Sequence, residues 1–154
     1  MRRTLVATSL GTLVTAVVGA LGTDPDSSWY RSQAKPPWQP PPVAFPLVWT
    51  PLYAAIAWGT ARLLDAEPDP ARRRRLGALV AADLVANAGW CWAFFKGRSP
   101  RNGLAVIAVL DGLNLALVDQ ARRRDGRAAA ALAPYAAWGL FASALNADIW
   151  RRNR

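Results

Sequence analysis

Five apolar blocks, Thr4–Gly22, Val43–Leu64, Leu76–Phe95, Gly103–Val118 and Ala128–Trp150, alternate with short connections rich in arginine and proline. Most approach the ~20 residues that an α-helix needs to cross a ~30 Å hydrocarbon core, and the short fourth block gains length by recruiting Arg101 or Ala121. The pattern predicts a single-domain, all-α integral membrane protein over residues 1–154, with five transmembrane helices near 4–22, 43–65, 75–96, 101–121 and 127–151. Arg2-Arg3 ahead of the first block also fits a signal peptide cleaved near Ala20. Against this, Gly11, Thr15 and Gly19 repeat at i+4, the small-residue ladder of a helix that packs against helices in lipid.

Residues 23–42 form the longest interruption. Within 29–53, seven prolines and three tryptophans crowd together. Proline blocks helix interiors, so Pro36 to Pro42 reads as a rigid, extended loop. A polar linker has no use for Trp29, Trp38 and Trp49, whereas a lid over a membrane-embedded ligand pocket does; an interfacial aromatic belt followed by a proline spacer is the alternative.

Helical periodicity assigns faces to the predicted spans. In the second, Phe45, Trp49, Leu52 and Ile56 share a stripe, Pro46 lies in the first turn, and Pro51 should kink the helix. In the third, Asp83, Asn87, Trp90 and Phe94 line one face, while Ala78, Ala82, Ala86 and Gly89 line another about 110° away. The first face suits a pocket and the second suits close helix contact, within one subunit or in a homodimer. Asp83 and Asp111 are ionisable groups inside predicted spans and should face protein, bridging helices by hydrogen bonds. In the fifth, Pro134, Trp138, Phe141 and Leu145 form a stripe with Ala142 alongside. Trp38, Trp49, Trp90 and Trp138 then belong to the pocket side, leaving Trp29, Trp58, Trp92 and Trp150 for interface or lipid. Four indoles around one cavity suit a large, flat, apolar ligand.

Composition narrows the chemistry. A net charge of +9 would suggest nucleic acid in a soluble chain, but Arg72–Arg75 and Arg122–Arg124 with Arg127 fall between apolar blocks. They read as topology signals and contacts to anionic membrane lipids, not as a nucleic-acid surface. The two sides carry ten and eight basic residues, a small bias towards a cytoplasmic amino terminus. The absence of histidine and the single cysteine, Cys91, exclude internal disulfides, histidine-based triads and standard zinc sites. No cofactor is required by any motif, and no acid–base or nucleophile constellation appears.

Four segments, in order, carry a family resemblance: WY followed by KPPWQPP within Trp29–Pro41, FPLVWTPLY over Phe45–Tyr53, N-x-x-W-x-x-x-FF over Asn87–Phe95, and PYAAWGLFASALNADIW over Pro134–Trp150. Together they resemble the translocator protein family, also called tryptophan-rich sensory proteins or peripheral-type benzodiazepine receptors. The resemblance implies a five-helix bundle, usually dimeric, with a pocket under the first loop for porphyrins, haem and synthetic ligands. Trp38, Phe45, Trp49, Asn87, Trp90, Trp138, Phe141, Ala142 and Leu145 match positions that line or close that pocket, and Phe94 joins them on the third helix. Trp49 and Trp138 match tryptophans implicated, in some bacterial members, in light-dependent porphyrin breakdown. The animal cholesterol motif needs a tyrosine where this chain runs Leu145-Asn146-Ala147-Asp148-Ile149-Trp150-Arg151, so sterol binding through it is not expected. Seventeen arginines against two lysines fit a GC-rich bacterial genome, hence a multi-pass protein of the bacterial cell membrane.

Overall fold

The computed structural model describes all residues from Met1 to Arg154. It is wholly helical: α1 Arg2–Gly22, a short α2 Ser28–Ser32, α3 Ala44–Asp65, α4 Pro70–Cys91 continued by a π-helical turn Trp92–Lys96, α5 Pro100–Arg122 and α6 Gly126–Arg152. Three of the long helices start on an oxygen-bearing cap. Asp69 accepts from Ala71 N, Ser99 from Asn102 N, and Asp125 from Arg127 N and Ala128 N. Each satisfies amide donors that a helix start leaves unpaired. Asp69 followed by Pro70 begins α4 five residues before the expected 75, which corrects the placement of Arg72–Arg75: they form the first turns of the helix, not a connection.

The five long helices close a ring in the spatial order α1, α4, α5, α6, α3, and α3 returns to α1. Three buried layers fill it. Leu63, Leu76, Val80, Leu117, Ala121, Ala128, Ala129 and Leu132 occupy the arginine-rich end. Leu52, Ile56, Ile107, Leu110 and Tyr135 fill the middle. Phe94, Leu145 and Ile149 lie under the loop.

Helix α1 is inverted relative to a water-soluble helix. Its buried positions are Thr8, Thr12, Thr15, Gly19 and Gly22, while Val6, Leu10, Leu13, Val14, Val17 and Leu21 are exposed. Small residues inward let backbones approach, and apolar residues outward match lipid. An added Cβ on Gly19 would stand 3.5 Å from Cys91 Sγ and 3.9 Å from Ala88 Cα, so the small-residue ladder is the α1–α4 seam. The threonine hydroxyls are satisfied too: Thr8 donates to Ala57 O on α3 at 2.8 Å, and Thr12 to Thr8 O at 2.8 Å. Four helical segments, Arg2–Gly22, Pro70–Lys96, Pro100–Arg122 and Gly126–Arg152, are long and apolar enough to cross a bilayer. The 22-residue α3 matches them in length and intersperses Pro46, Trp49, Pro51, Tyr53 and Trp58 among its aliphatic residues. On α4, Ala78 and Ala82 are exposed and Ala86 and Gly89 half-buried, so the first two make no close contact within the subunit.

Candidate functional site

The loop 23–42 is folded, and its Pro36–Pro42 run is not the extended strap expected of it. The first part of the loop winds into α2, capped by Ser27, whose Oγ accepts from Tyr30 N. The proline run then folds through two turns, closed by Gln39 N donating to Pro36 O at 3.1 Å and Ala44 N donating to Pro41 O at 2.9 Å. Pro37 and Pro42 occupy the second position of these turns, where a φ fixed near −65° favours turning over extension.

The folded segment is fastened through Ala34 and Trp38 to the end of α6. Trp38 Nε1 donates to Asp148 Oδ2 at 3.1 Å, and the Asn153 side chain pairs with Ala34, accepting from its N and donating to its O, both at 2.9 Å. Lys35 Nζ donates to Tyr30 O at 2.6 Å and to Gln33 O at 3.2 Å while lying 4.5 Å from the Tyr30 ring centroid. Burial raises the Tyr30 phenol above its ordinary value, so its oxygen is a neutral acceptor for Gln39 Nε2 at 3.3 Å. Trp29, expected at the interface or in lipid, instead packs edge-on against Phe94 with centroids 5.7 Å apart. Sequence alone missed it because α2, which turns it inward, is too short to leave a periodic signal.

Beneath this cover nine of the ten expected site residues come together between α3, α4 with its π-helical turn, and α6, and the tenth, Trp38, reaches them from the cover itself. Phe45 meets Trp138 at 6.1 Å, Trp138 meets Phe141 at 5.0 Å, and Trp38 reaches Phe141 from the loop at 5.8 Å. Trp90 stacks on Phe94 at 5.4 Å, and both adjoin Leu145. Trp49 and Ala142 flank the middle layer beside Trp138. The rings lie against one another. Two cavities lie elsewhere, a groove between α1 and α4 and a basic recess between α4 and α5.

A polar chain runs behind the aromatic rings; Asp83 bridges helices in it as expected, while its partner Tyr135 was not anticipated. Tyr53 Oη donates to Asn87 Oδ1 at 3.5 Å, Asn87 Nδ2 donates to Tyr135 Oη at 2.8 Å, and Tyr135 Oη donates to Asp83 Oδ2 at 3.2 Å. Asp83, Asn87 and Tyr135 are all buried, and the chain joins α3, α4 and α6. Trp49 leans on it, 6.2 Å from the Tyr135 ring. Tyr135 lies three residues before Trp138 and seven before Ala142, so helical spacing could have found it. Nearby, Trp90 Nε1 donates to Asn146 Oδ1 at 2.9 Å, and Asn146 Nδ2 donates to Pro100 O at 2.7 Å. Gly103 permits this contact: a Cβ there would come within 2.8 Å of both Asn146 Oδ1 and Phe94 Cδ2. Asp111 bridges helices as expected, accepting from the Ser143 hydroxyl.

The profile of the TspO/MBR family matches residues 6–151. The chain belongs to the TspO/MBR family. It is 32% identical over 142 residues to the tryptophan-rich protein TspO of Chlorobaculum tepidum, covering 92% of this chain and 90% of that one. The tryptophan-rich sensory protein of Cereibacter sphaeroides is 33% identical over 138 residues, 90% of this chain and 84% of the relative. The translocator protein of Ovis aries is 30% identical over 148 residues, 93% and 88% respectively. Family membership and its apolar helices make this TspO/MBR protein an integral membrane protein.

Proposed function

We propose that the protein is a membrane-embedded sensor that binds porphyrin-type tetrapyrroles, protoporphyrin or haem, in the aromatic layer under the folded loop. The observation that carries this reading is the convergence of Trp38, Trp49, Trp90 and Trp138, with Phe45, Phe94 and Phe141, in the layers beneath that loop. Indole and phenyl faces contribute stacking and dispersion to a flat macrocycle. Because the rings now rest on one another, a ligand enters by parting the Trp138 and Phe141 rings from Phe45 and Trp38, exchanging one set of aromatic contacts for another.

The residues fit the macrocycle better than its metal. The chain has no histidine, its one methionine is Met1 at the far end of α1, and Cys91 faces the α1 seam. The two tyrosines behind the rings are held by Asn87 and Asp83. The ring system is therefore recognised by shape and stacking, without a histidine or thiolate on iron. Arg151 in the last turn of α6, and Lys96, loosely paired with Asp24 at 3.8 Å, stand at the loop end of the bundle, where propionates would meet them. In this reading α3, which carries Phe45 and Trp49, is the fifth span; its 22 residues extend about 33 Å at 1.5 Å per residue.

The test is titration of the detergent-solubilised protein with protoporphyrin while following indole fluorescence. Replacing Trp49 and Trp138 together by Phe should weaken binding about tenfold or more, the equivalent of about 1.4 kcal/mol. Unchanged affinity in that double variant would overturn the site. Illumination with and without oxygen separates binding from turnover: a new product formed only with native protein and light would make the protein a catalyst of porphyrin oxidation.

A further inference from the structure

The basic recess between α4 and α5 lies on the opposite end of the bundle from the aromatic layer, and the proposed function makes no use of it. Arg72, Arg75, Leu76, Leu79, Ala116, Gln120 and Arg124 enclose about 310 Å³. That volume is at the lower end of small-ligand sites. Its walls change character along the helix axis. Arg72 and Arg75 project from the first turns of α4 and Arg124 from just beyond α5, while Leu76, Leu79 and Ala116 follow on the apolar side.

The three guanidinium groups are not equally committed. Arg124 is fixed: its Nε donates to Glu67 Oε2 at 2.7 Å, and its Nη1 to Gln120 Oε1 at 2.8 Å. Arg72 has only a loose, exposed pairing with Asp69 at 3.5 Å. Arg75 has no carboxylate within ion-pair distance, and no acidic residue lines the recess. Asp119, the nearest acid on α5, is taken by Arg123 at 2.9 Å. The result is a cationic mouth with an uncompensated guanidinium, placed where a spanning helix emerges from the hydrocarbon, above an apolar floor.

The geometry points to a binding site for one anionic glycerophospholipid, its phosphate received by Arg72 and Arg75 and one acyl chain laid over Leu76, Leu79 and Ala116. Guanidinium forks match phosphate oxygens, and basic recesses between spanning helices are suited to charged headgroups. A free phosphate would use the mouth alone; the apolar floor selects the lipid. Arg124 shapes the wall and keeps its side chain on Glu67 and Gln120.

Native mass spectrometry of the detergent-solubilised full chain tests this with phosphatidylglycerol and phosphatidylcholine of identical acyl chains. The readout is the ratio of the two bound lipids within each variant, which partial unfolding leaves unchanged because it lowers both alike. The wild type should retain phosphatidylglycerol at least tenfold better. Arg72→Gln with Arg75→Gln should bring the ratio near one. Arg74→Gln with Arg127→Gln removes the same charge outside the recess and should leave the ratio within about twofold. Ala116→Phe, which fills the floor and keeps every arginine, should lower phosphatidylglycerol retention severalfold. Equal loss in the two arginine pairs would reduce the effect to diffuse surface charge and overturn the site. Displacement of the lipid by millimolar inorganic phosphate, or indifference to Ala116→Phe, would overturn the lipid assignment.

Discussion

Trp38 and Asp148, 110 residues apart, are joined by an indole N–H that meets a carboxylate oxygen at 3.1 Å and ties the proline-rich loop to the last turns of α6. The bond is exposed, and Arg152 shares the same carboxylate, its Nε donating to Oδ1 at 3.1 Å. One such bond contributes about 0.5–1.5 kcal/mol. Trp38→Phe should therefore raise the population of the lifted loop roughly twofold to tenfold. Trypsin cleavage after Arg31, the one basic residue of the loop not followed by proline, measures it. Asn153→Ala, which removes both bonds to Ala34, should accelerate cleavage at least as much. Equal rates in all three proteins would show that the contacts of Trp29 and Tyr30 with Phe94 hold the loop by themselves.

The chain from Tyr53 through Asn87 and Tyr135 to Asp83 is graded in strength. Tyr135 is buried and takes part in two bonds, at 2.8 and 3.2 Å, whereas Tyr53 makes one at 3.5 Å, the outer limit of a hydrogen bond. Tyr135→Phe leaves both Asn87 Nδ2 and Asp83 without a partner and should destabilise the protein by about 1–2 kcal/mol. Tyr53→Phe should cost less than about 0.5 kcal/mol. Unfolding of the two variants in a denaturing detergent gives the comparison, and a reversed order would contradict the network.

Gly139 and Gly77 are both helical glycines and should respond oppositely to the same change. A Cβ on Gly139 would stand 2.6 Å from Asp111 Oδ1 and 3.1 Å from Asn114 Nδ2, so the Asp111 and Asn114 side chains, packed between α5 and α6, would have to move. Gly139→Ala should cost about 1–3 kcal/mol. Around Gly77 nothing lies within 4 Å of the added carbon. Gly77→Ala should stabilise α4 by up to about 1 kcal/mol, because alanine restricts the unfolded chain and favours helix. Thermal midpoints in detergent would separate the two; a stabilised Gly139→Ala would refute the close α5–α6 approach.

What was legible in the sequence is what repeats along it. The long helices show because each carries a run of apolar residues, and the inward faces show because Asn87, Trp90 and Phe94 recur at helical spacing. The α1 ladder was readable for the same reason. The Pro36–Pro42 run was misread because proline content reports which conformations are barred, not which turn is taken; Pro37 and Pro42 close turns only when their neighbours' amides find carbonyls. The π-helical turn Trp92–Lys96 changes how many residues one turn holds, which no hydropathy pattern encodes. The Asp83–Tyr135 bond joins residues 52 positions apart and exists only once α4 and α6 are neighbours. Asp69-Pro70, by contrast, was a visible helix start that the search for apolar runs passed over.

Glu67 makes the arginine-rich end sensitive to acid. It is buried in the α3–α4 connection, where Oε2 accepts from Arg124 Nε at 2.7 Å and Oε1 from Asp69 N at 3.2 Å. The Arg124 hydrogen bond, joined by the Asp69 amide and the arginine charges, outweighs burial and holds the Glu67 carboxyl below its ordinary value of about 4.5. A group lowered in this way binds protons more tightly in the unfolded chain, so its contribution is present in full above about pH 4.5 and is lost as pH falls through the folded value. The wild type should therefore lose thermal stability on acidification below that point. Glu67→Gln should be less stable at neutral pH, since Arg124 loses its counter-charge, and should show a shallower acid limb. Melting profiles in detergent between neutral pH and pH ~3 check both signs. Parallel acid limbs for the two proteins would assign the sensitivity to other paired carboxylates, among them Asp125, which Arg62 holds at 2.6 Å at the neighbouring α5–α6 turn.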